Sequence, residues 1–391
     1  MMQNAAILWQ VSLLVPEDQK AIALGLVGVV RVVPIIIFSM ISGVVADALD
    51  RRKLMLITQT GMMAVAALLT IVTFSGLTVV WPIYLLAALG AAFGSFDGPA
   101  RQSLVPNLVP REHLPNAISL NTIMFQVASV TGPAVGGLLI GGLGVGWAYA
   151  LNAVSFLFVI MALALMRDLP QRTESERSEI SWRAAAEGLR YVFTAPLIRS
   201  SMLLDFFATF FASATALLPI FAQDILKVGP QGYGLLSAAP SVGAMLTSLV
   251  MVRAIEHMNQ RGEIMLWAVL GYGLATVVFG FSRNFWLTFV CLALTGATDT
   301  VSMVIRNIIR QLSTPDHLRG RMTSVNMMFF MGGPQLGELE AGAVAQAFGS
   351  VVSVVTGGIG CLLATAWVAW QTPELRLYRR DAPMLAGQAA D

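Results

Sequence analysis

The stretch Ala21-Ile-Ala-Leu-Gly-Leu-Val-Gly-Val-Val-Arg31-Val-Val-Pro34-Ile-Ile-Ile-Phe-Ser-Met-Ile-Ser-Gly43-Val-Val-Ala-Asp47-Ala-Leu-Asp50-Arg51-Arg52-Lys53 decides the fold. From Ala21 to Ala46 only one charge, Arg31, interrupts an apolar run. That run exceeds the roughly 20 residues a helix needs to cross the hydrocarbon core of a bilayer. Polar residues then gather at once, ending in three consecutive basic side chains, Arg51, Arg52 and Lys53. An apolar helix that ends in a basic turn reads as a membrane span with its turn in the cytoplasm.

The rest of the chain repeats the pattern. Runs at 21–46, 54–74, 80–99, 116–140, 146–166, 200–222, 231–252, 263–281, 285–305, 322–347 and 351–371 are each long enough to span. The first run, Met1 to Val15, is too short to cross alone. It has no basic leader and no cleavage site of small residues, so it is not read as a signal peptide. It reads as the outer half of a first helix whose start precedes Met1. Twelve helical spans are therefore expected. Composition agrees: of 391 residues 56% are hydrophobic and 12% charged, against about 25% charged in a soluble domain. Mean hydropathy is +0.73. Lipid is the solvent that tolerates such a surface.

Charge placement orients the spans. Of the 24 basic residues, all but Lys20, Lys227, Arg283 and the intramembrane Arg31 fall on or near the even-numbered turns and the tail. The positive-inside rule makes that side cytoplasmic. Arg101, Arg253, Arg306 and Arg310 are assigned to those turns. The chain is expected in the plasma (inner) membrane, both termini of the complete chain being cytoplasmic.

The longest polar stretch, 167–199, joins an N-terminal six-helix half (1–166) to a C-terminal one (200–372), with a cytoplasmic tail at 373–391. Within it, Ser181 to Phe193 reads either as an amphipathic helix on the inner membrane surface or as a solvated linker. The halves resemble each other. Pro110-Arg-Glu-His113-Leu114 matches Pro315-Asp-His317-Leu318, and Gly25-Leu26 matches Gly234-Leu235, at offsets of 204 and 209 residues. A parallel six-plus-six repeat is one architecture of secondary transporters.

The segment Gly43 to Lys53 resembles the signature loop of the major facilitator superfamily: a glycine, an acidic residue four later, and a basic cluster before the third span. Here Ala48 and Asp50 stand where that signature has a basic residue and a glycine. The resemblance implies an all-α fold of two six-helix bundles and a gating role for Gly43, Asp47, Asp50, Arg51 and Arg52. The bland alternative is a charge cluster that only sets topology. Gly132-Pro133-Ala-Val-Gly136-Gly137 resembles the end of a motif in the superfamily's exporters. It reads equally as a small-residue packing face. Pro99-Ala-Arg101-Gln-Ser-Leu-Val-Pro106-Asn-Leu-Val-Pro110 is similar to the turn of the enterobactin-exporter-like and multidrug-exporter subgroup.

Charges inside a span are costly, so each is a functional candidate. Arg31, Asp97, Asp205, Asp299, Glu338 and Glu340 are such residues. A carboxylate in an apolar cavity binds a proton more readily, because desolvation disfavours its charged form. Asp299, Glu338 and Glu340 are the expected proton carriers, with Arg31 as the basic group that tunes one of them. Asp97 reads rather as a structural partner of Arg101. The superfamily's cavity is lined mainly by spans 1, 4, 7 and 10. That implies Gln3, Asn4, Phe93, Phe96, Phe206, Phe210 and Asp299 as substrate-cavity candidates, although aromatic residues at helical spacing more often pack than bind.

The resulting expectation is a monomeric secondary transporter that exports a drug-like or siderophore-like small molecule by alternating access and proton antiport. Its partners are lipid and cargo; no nucleic acid, metal or cofactor is expected beyond the proton gradient. Cys291 and Cys361 have no metal-ligand spacing. GxSxG, HExxH and GxxxxGK[ST] do not occur, so neither an enzyme nor an ATP-driven pump is expected. The alternatives are a non-transporting scaffold or sensor on the same fold, or a truncated, inactive remnant. Sodium coupling and import also stay open.

Overall fold

The structure is a computed structural model. It describes residues 1–48, 50–76, 78–110, 113–166, 190, 193–212, 214–255, 257–314 and 319–379. Most of the linker 167–199, the 315–318 half of the repeated turn and the tail from 380 lie outside those residues. So do the side chains of Gly43 and Asp47.

Every regular element among the described residues is helical. The helices are α1 (Met2–Leu14), α2 (Lys20–Ala48), α3 (Arg51–Phe74), α4 (Trp81–Leu108), α5 (Leu114–Gly142) and α6 (Val145–Leu165). Then come α7 (Pro196–Phe211), α8 (Gly229–Ala254), α9 (Arg261–Phe281), α10 (Phe285–Ser313), α11 (Arg319–Phe348), α12 (Ser350–Gln371) and a short α13 (Pro373–Arg376). Among the described residues ten helical stretches are long and apolar enough to cross a membrane, one of them Pro196–Ile225, which runs past the end of α7. α1, at 13 residues, rises only about 20 Å.

Local chemistry sets the ends. Asp50 caps α3, its carboxylate accepting from the amides of Arg52 (2.9 Å) and Lys53 (3.3 Å). Asn284 caps α10 in the same way. Proline opens α4, α5 and α7 in the first turn, where its missing N–H costs nothing. Gly144 before α6 and Gly349 before α12 both have positive φ, 98° and 92°, a conformation that disfavours any other residue.

Two expectations are corrected here. α4 runs on to Leu108 and α10 to Ser313, beyond the apolar runs that ended near 99 and 305. Hydropathy falls at the membrane boundary, but intrahelical hydrogen bonding does not. Arg101, Arg306 and Arg310 therefore sit in helices, not turns. Span 7 is not one helix. After Phe211 come a 3-10 turn at Ala214–Leu217, one α turn at Leu218–Ile220 and a π turn at Phe221–Ile225.

The chain forms two compact units: Met1–Glu179 with Leu218–Ala238, and Ile180–Leu217 with Ala239–Asp391. In the first, α3 packs on α4 and α6, α1 on α5 and α6, and α5 on α6. In the second, α9 packs on α10 and α12, α7 on α11 and α12, and α11 on α12. The second set is the first shifted by six helices, as duplication requires. Lipid provides no hydrophobic drive between helices, so close small-residue contact holds them. A Cβ placed on Gly243 or Gly296 would run into the backbone of Ala293 or Pro240, so α8 and α10 touch main chain to main chain. Gly94, by contrast, has open space around its missing Cβ. Gly243→Val is expected to lower the melting temperature of the purified protein by several degrees and Gly94→Val to leave it nearly unchanged, as read by thermal unfolding in detergent.

Candidate functional site

The second unit gathers charge in its interior. Asp299 and Arg306 lie seven residues apart on α10, close to two full turns, so they share a face. Arg306 uses that geometry to serve two carboxylates. Its Nη2 lies 2.8 Å from Asp205 Oδ1 on α7 and 3.4 Å from Asp299 Oδ1. Its Nη1 donates to Ser302 Oγ at 3.0 Å. The Arg306 and Asp205 side chains are 9% and 10% exposed, whereas Asp299 is 41% exposed. Two carboxylates thus share one guanidinium, the inner one sealed and the outer one reachable. Arg310, one turn on, donates to Asn307 Oδ1 at 2.6 Å. The basic group beside Asp299 is therefore Arg306, which the sequence reading placed in a cytoplasmic turn. Arg31, the expected tuning group, lies on α2 in the first unit, and no carboxylate among the described residues is within ion-pair distance of it.

Glu338 and Glu340 fall on α11. Glu338 is buried, at 8% exposure, and Glu340 is half-buried. Two residues apart, they face different directions. The helix approaches α7 below them, where a Cβ on Gly333 would lie 2.6 Å from Thr209 Oγ1. Aligning the two units exposes a repeat that the sequence reading missed. Gly132-Pro133-Ala-Val-Gly136-Gly137 in α5 corresponds to Gly333-Pro334-Gln-Leu-Gly337-Glu338 in α11, 201 residues later. In α5, Gly132 and Gly136 receive Met1 and Met2 at the start of α1, and a Cβ on Gly137 would lie 2.6 Å from Gly234 Cα. Glu338 occupies the place of Gly137. The offset, close to the 204 and 209 already visible, was the signal that could have found it.

The remaining candidates are mostly held in structural contacts. Asp97 accepts from Gln59 Nε2 (2.8 Å), Thr58 Oγ1 (3.2 Å) and Arg101 Nη2 (2.5 Å), tying α4 to α3. In the signature loop, Arg52 donates to the Leu163 and Ala164 carbonyls, both at 2.7 Å, and so caps α6; Asp50 caps α3. Gln3 accepts from Asn152 Nδ2 at 2.5 Å, and Asn4 is half-buried on α1. Phe93 fills the space above Gly61. Phe96 meets Phe38 at 5.5 Å between ring centroids and packs on the cluster of Leu54, Met55 and Leu104. Phe206 and Phe210 stack on each other at 5.7 Å. No group of three or more metal-ligating side chains occurs among the described residues.

Helical repeats wrapped around interior charge define a membrane transporter of the major facilitator fold. The fold matches solved transporters: a bacterial homologue of the human lysosomal transporter Spinster (TM-score 0.70, 13% identity, 96% of this chain and 95% of that one). It also matches a D-xylose–proton symporter (TM-score 0.71, 12% identity, 96% and 97%). The chain belongs to the transmembrane secretion effector family of the major facilitator superfamily, whose family model matches residues 1–382. Its relatives include the enterobactin exporter EntS of Shigella boydii, 28% identical over 385 residues, or 96% of this chain and 86% of that protein. EntS of Escherichia coli is 27% identical over the same shares.

Removing one partner of a buried ion pair leaves an uncompensated charge, which costs about 3–5 kcal/mol. Arg306→Leu should therefore strip most folded protein from the membrane fraction. Arg306→Leu with Asp205→Leu should recover much of it, as measured by monodisperse yield on size exclusion.

Proposed function

We propose that this protein exports a small molecule, drug-like or siderophore-like, from the cytoplasm across the inner membrane of a bacterium in exchange for protons. The observation that carries the reading is the shared guanidinium of Arg306. Arg306 holds both carboxylates at once, and Arg310, one turn on, adds its charge to the Asp205 side of the cluster. Asp299, the exposed member, is the carboxylate a proton can reach. Loading and unloading Asp299 changes the hold of Arg306 on α10 and thus its grip on Asp205 of α7. A proton-dependent bond between two helices is the element an antiporter needs to couple a gradient to alternating access. Glu338, in the slot its duplicate fills with glycine, is a second carrier.

The relatives' names favour export, and the interior charge favours transport over the scaffold, sensor or remnant readings, since a passive scaffold gains nothing from buried carboxylates. The protein works as a monomer in this reading, with lipid and cargo as its partners, termini in the cytoplasm and the proton gradient as its energy source. Efflux from proteoliposomes of a catecholate siderophore and a panel of lipophilic fluorescent dyes is expected to follow an imposed pH gradient. Asp299→Asn should abolish the gradient dependence while leaving slow downhill exchange. Gradient-driven efflux that survives Asp299→Asn, Glu338→Gln and their combination would exclude both carboxylates as carriers. Folded protein that moves no cargo under any gradient would return the lead to the scaffold or sensor.

A further inference from the structure

The first turns of α3 and α9 are served by different means. Asp50, ahead of α3, caps its amides, and Arg52 gives Nε and Nη2 to the last carbonyls of α6. α9 starts with Arg261, and Gln260 ahead of it gives no side-chain cap. Arg261 is only 9% exposed. Its Nε is buried without a hydrogen-bond partner, and its Nη2 has the Ile255 carbonyl at 3.4 Å. No carboxylate among the described residues is within ion-pair distance of it. A buried guanidinium and the positive end of a 21-residue helix therefore coincide with no anion between them. Burying a charge without a counter-charge is costly.

The chain after α12 folds over this spot. The Gly262 amide donates to the Tyr378 carbonyl at 3.0 Å, and a Cβ on Gly262 would run into the Leu375 carbonyl. Leu375 itself is fully buried in the core of the second unit. The charge of Arg261 reaches the half-buried Tyr378 ring, where it opposes the rise that burial gives the phenol. Arg376 and Arg379 are exposed on the same segment, Arg376 lying 3.6 Å from Glu263. Glu374 is exposed there too. Leu377 is 68% exposed, and Trp370, near the end of α12, is 79% exposed. Tryptophan at the end of a span marks the headgroup level of a bilayer.

We propose that Arg261 and the N-terminus of α9 form, beneath Tyr378, a site for the phosphate of an anionic phospholipid headgroup, with Arg376 and Arg379 at its rim. Nε and Nη2 are two parallel donors of one planar guanidinium, the geometry that a phosphate accepts. One of them is unserved and the other weakly held. The helix N-terminus favours negative charge at the same place. Nε is sealed from water, so the headgroup reaches it as the Tyr378 side chain turns aside. Leu377 and Trp370 offer apolar surface to acyl chains beside the headgroup, which favours a lipid over a free phosphate. The bound headgroup joins the C-terminal segment to α9, as the Asp50 carboxylate and Arg52 join elements in the first unit.

The test titrates dioctanoyl phosphatidylglycerol into the full chain, washed in non-ionic detergent, and reads the melting temperature. Phosphatidylglycerol should raise it by several degrees, and dioctanoyl phosphatidylcholine at the same concentration should not. Arg261→Gln should leave the lipid-free melting temperature level or higher, because it removes a buried charge that has no counter-charge. It should also raise the lipid concentration for half the shift roughly tenfold, as the loss of a charge-assisted hydrogen bond requires. Arg261→Lys, which keeps the charge and loses the fork, should fall between. Lys53→Gln, at an exposed cation on α3, should leave the titration unchanged. A lipid-free loss of several degrees in Arg261→Gln with an unchanged titration would give Arg261 a purely structural role and overturn the site. An equal shift from inorganic phosphate would replace the lipid by a free anion, and an equal weakening in Lys53→Gln would reduce the effect to general surface charge. No shift with phosphatidylglycerol in the unmodified protein would refute the proposal outright. The readout needs no cargo and no gradient, so it is independent of the antiport reading.

Discussion

A bilayer core offers no hydrogen-bond partner to the protein, and every other feature of this molecule follows from that constraint. Each backbone amide and carbonyl must be satisfied inside the chain, so the spans are helices. Each polar side chain within a span must also find a partner inside. Gln10 shows the consequence on α1. Its Nε2 donates to Thr73 Oγ1 and its Oε1 accepts from Tyr149, both at 2.9 Å. Gln3 with Asn152 and Ser12 with Gln223 continue the ladder. These bonds fix α1 against its neighbours.

The same constraint decides what charge can do. Asp97 is buried but fully served by Thr58, Gln59 and Arg101, and it ties two helices together. Asp299 stands 202 residues later in the duplicated plan, on α10, and shares its guanidinium with Asp205. The two aspartates hold equivalent places in the doubled plan and differ in their company. In one unit a single carboxylate is saturated with donors; in the other, two carboxylates meet the guanidinium of Arg306, with Arg310 one turn on. The Gly137 and Glu338 pair repeats this lesson. A slot used for backbone packing in α5 carries a carboxylate in α11.

Breaks in helices carry the remaining freedom. α7 ends at Phe211, and the twelve residues from Ala214 to Ile225 pass through 3-10, α and π geometry in turn. Pro240 interrupts α8. Where glycine lets two backbones touch, as at Gly243 and Gly296, helices are pinned. Where proline or mixed turns spoil the ladder, they are free to bend.

The membrane solvent, the helical class, the approximate spans and the doubling of the plan are all legible in the order of residues. These rest on hydropathy, charge asymmetry and offset, which are properties of residues in order along the chain. The sequence also marked Asp299, Glu338 and the α5 motif as unusual, because charge and glycine–proline clusters are rare inside spans. It could not assign Arg306. An arginine at the edge of an apolar run reads as a turn residue, and only the packing of α7 on α10 brings it to Asp205. It could not tell that Phe93, Phe96, Phe206 and Phe210 are engaged in packing, since an aromatic ring fits a pocket or a neighbouring helix with the same spacing. The pairing of Lys20 with Asp224 spans 204 residues, and a contact of that separation exists only once the chain has folded back on itself.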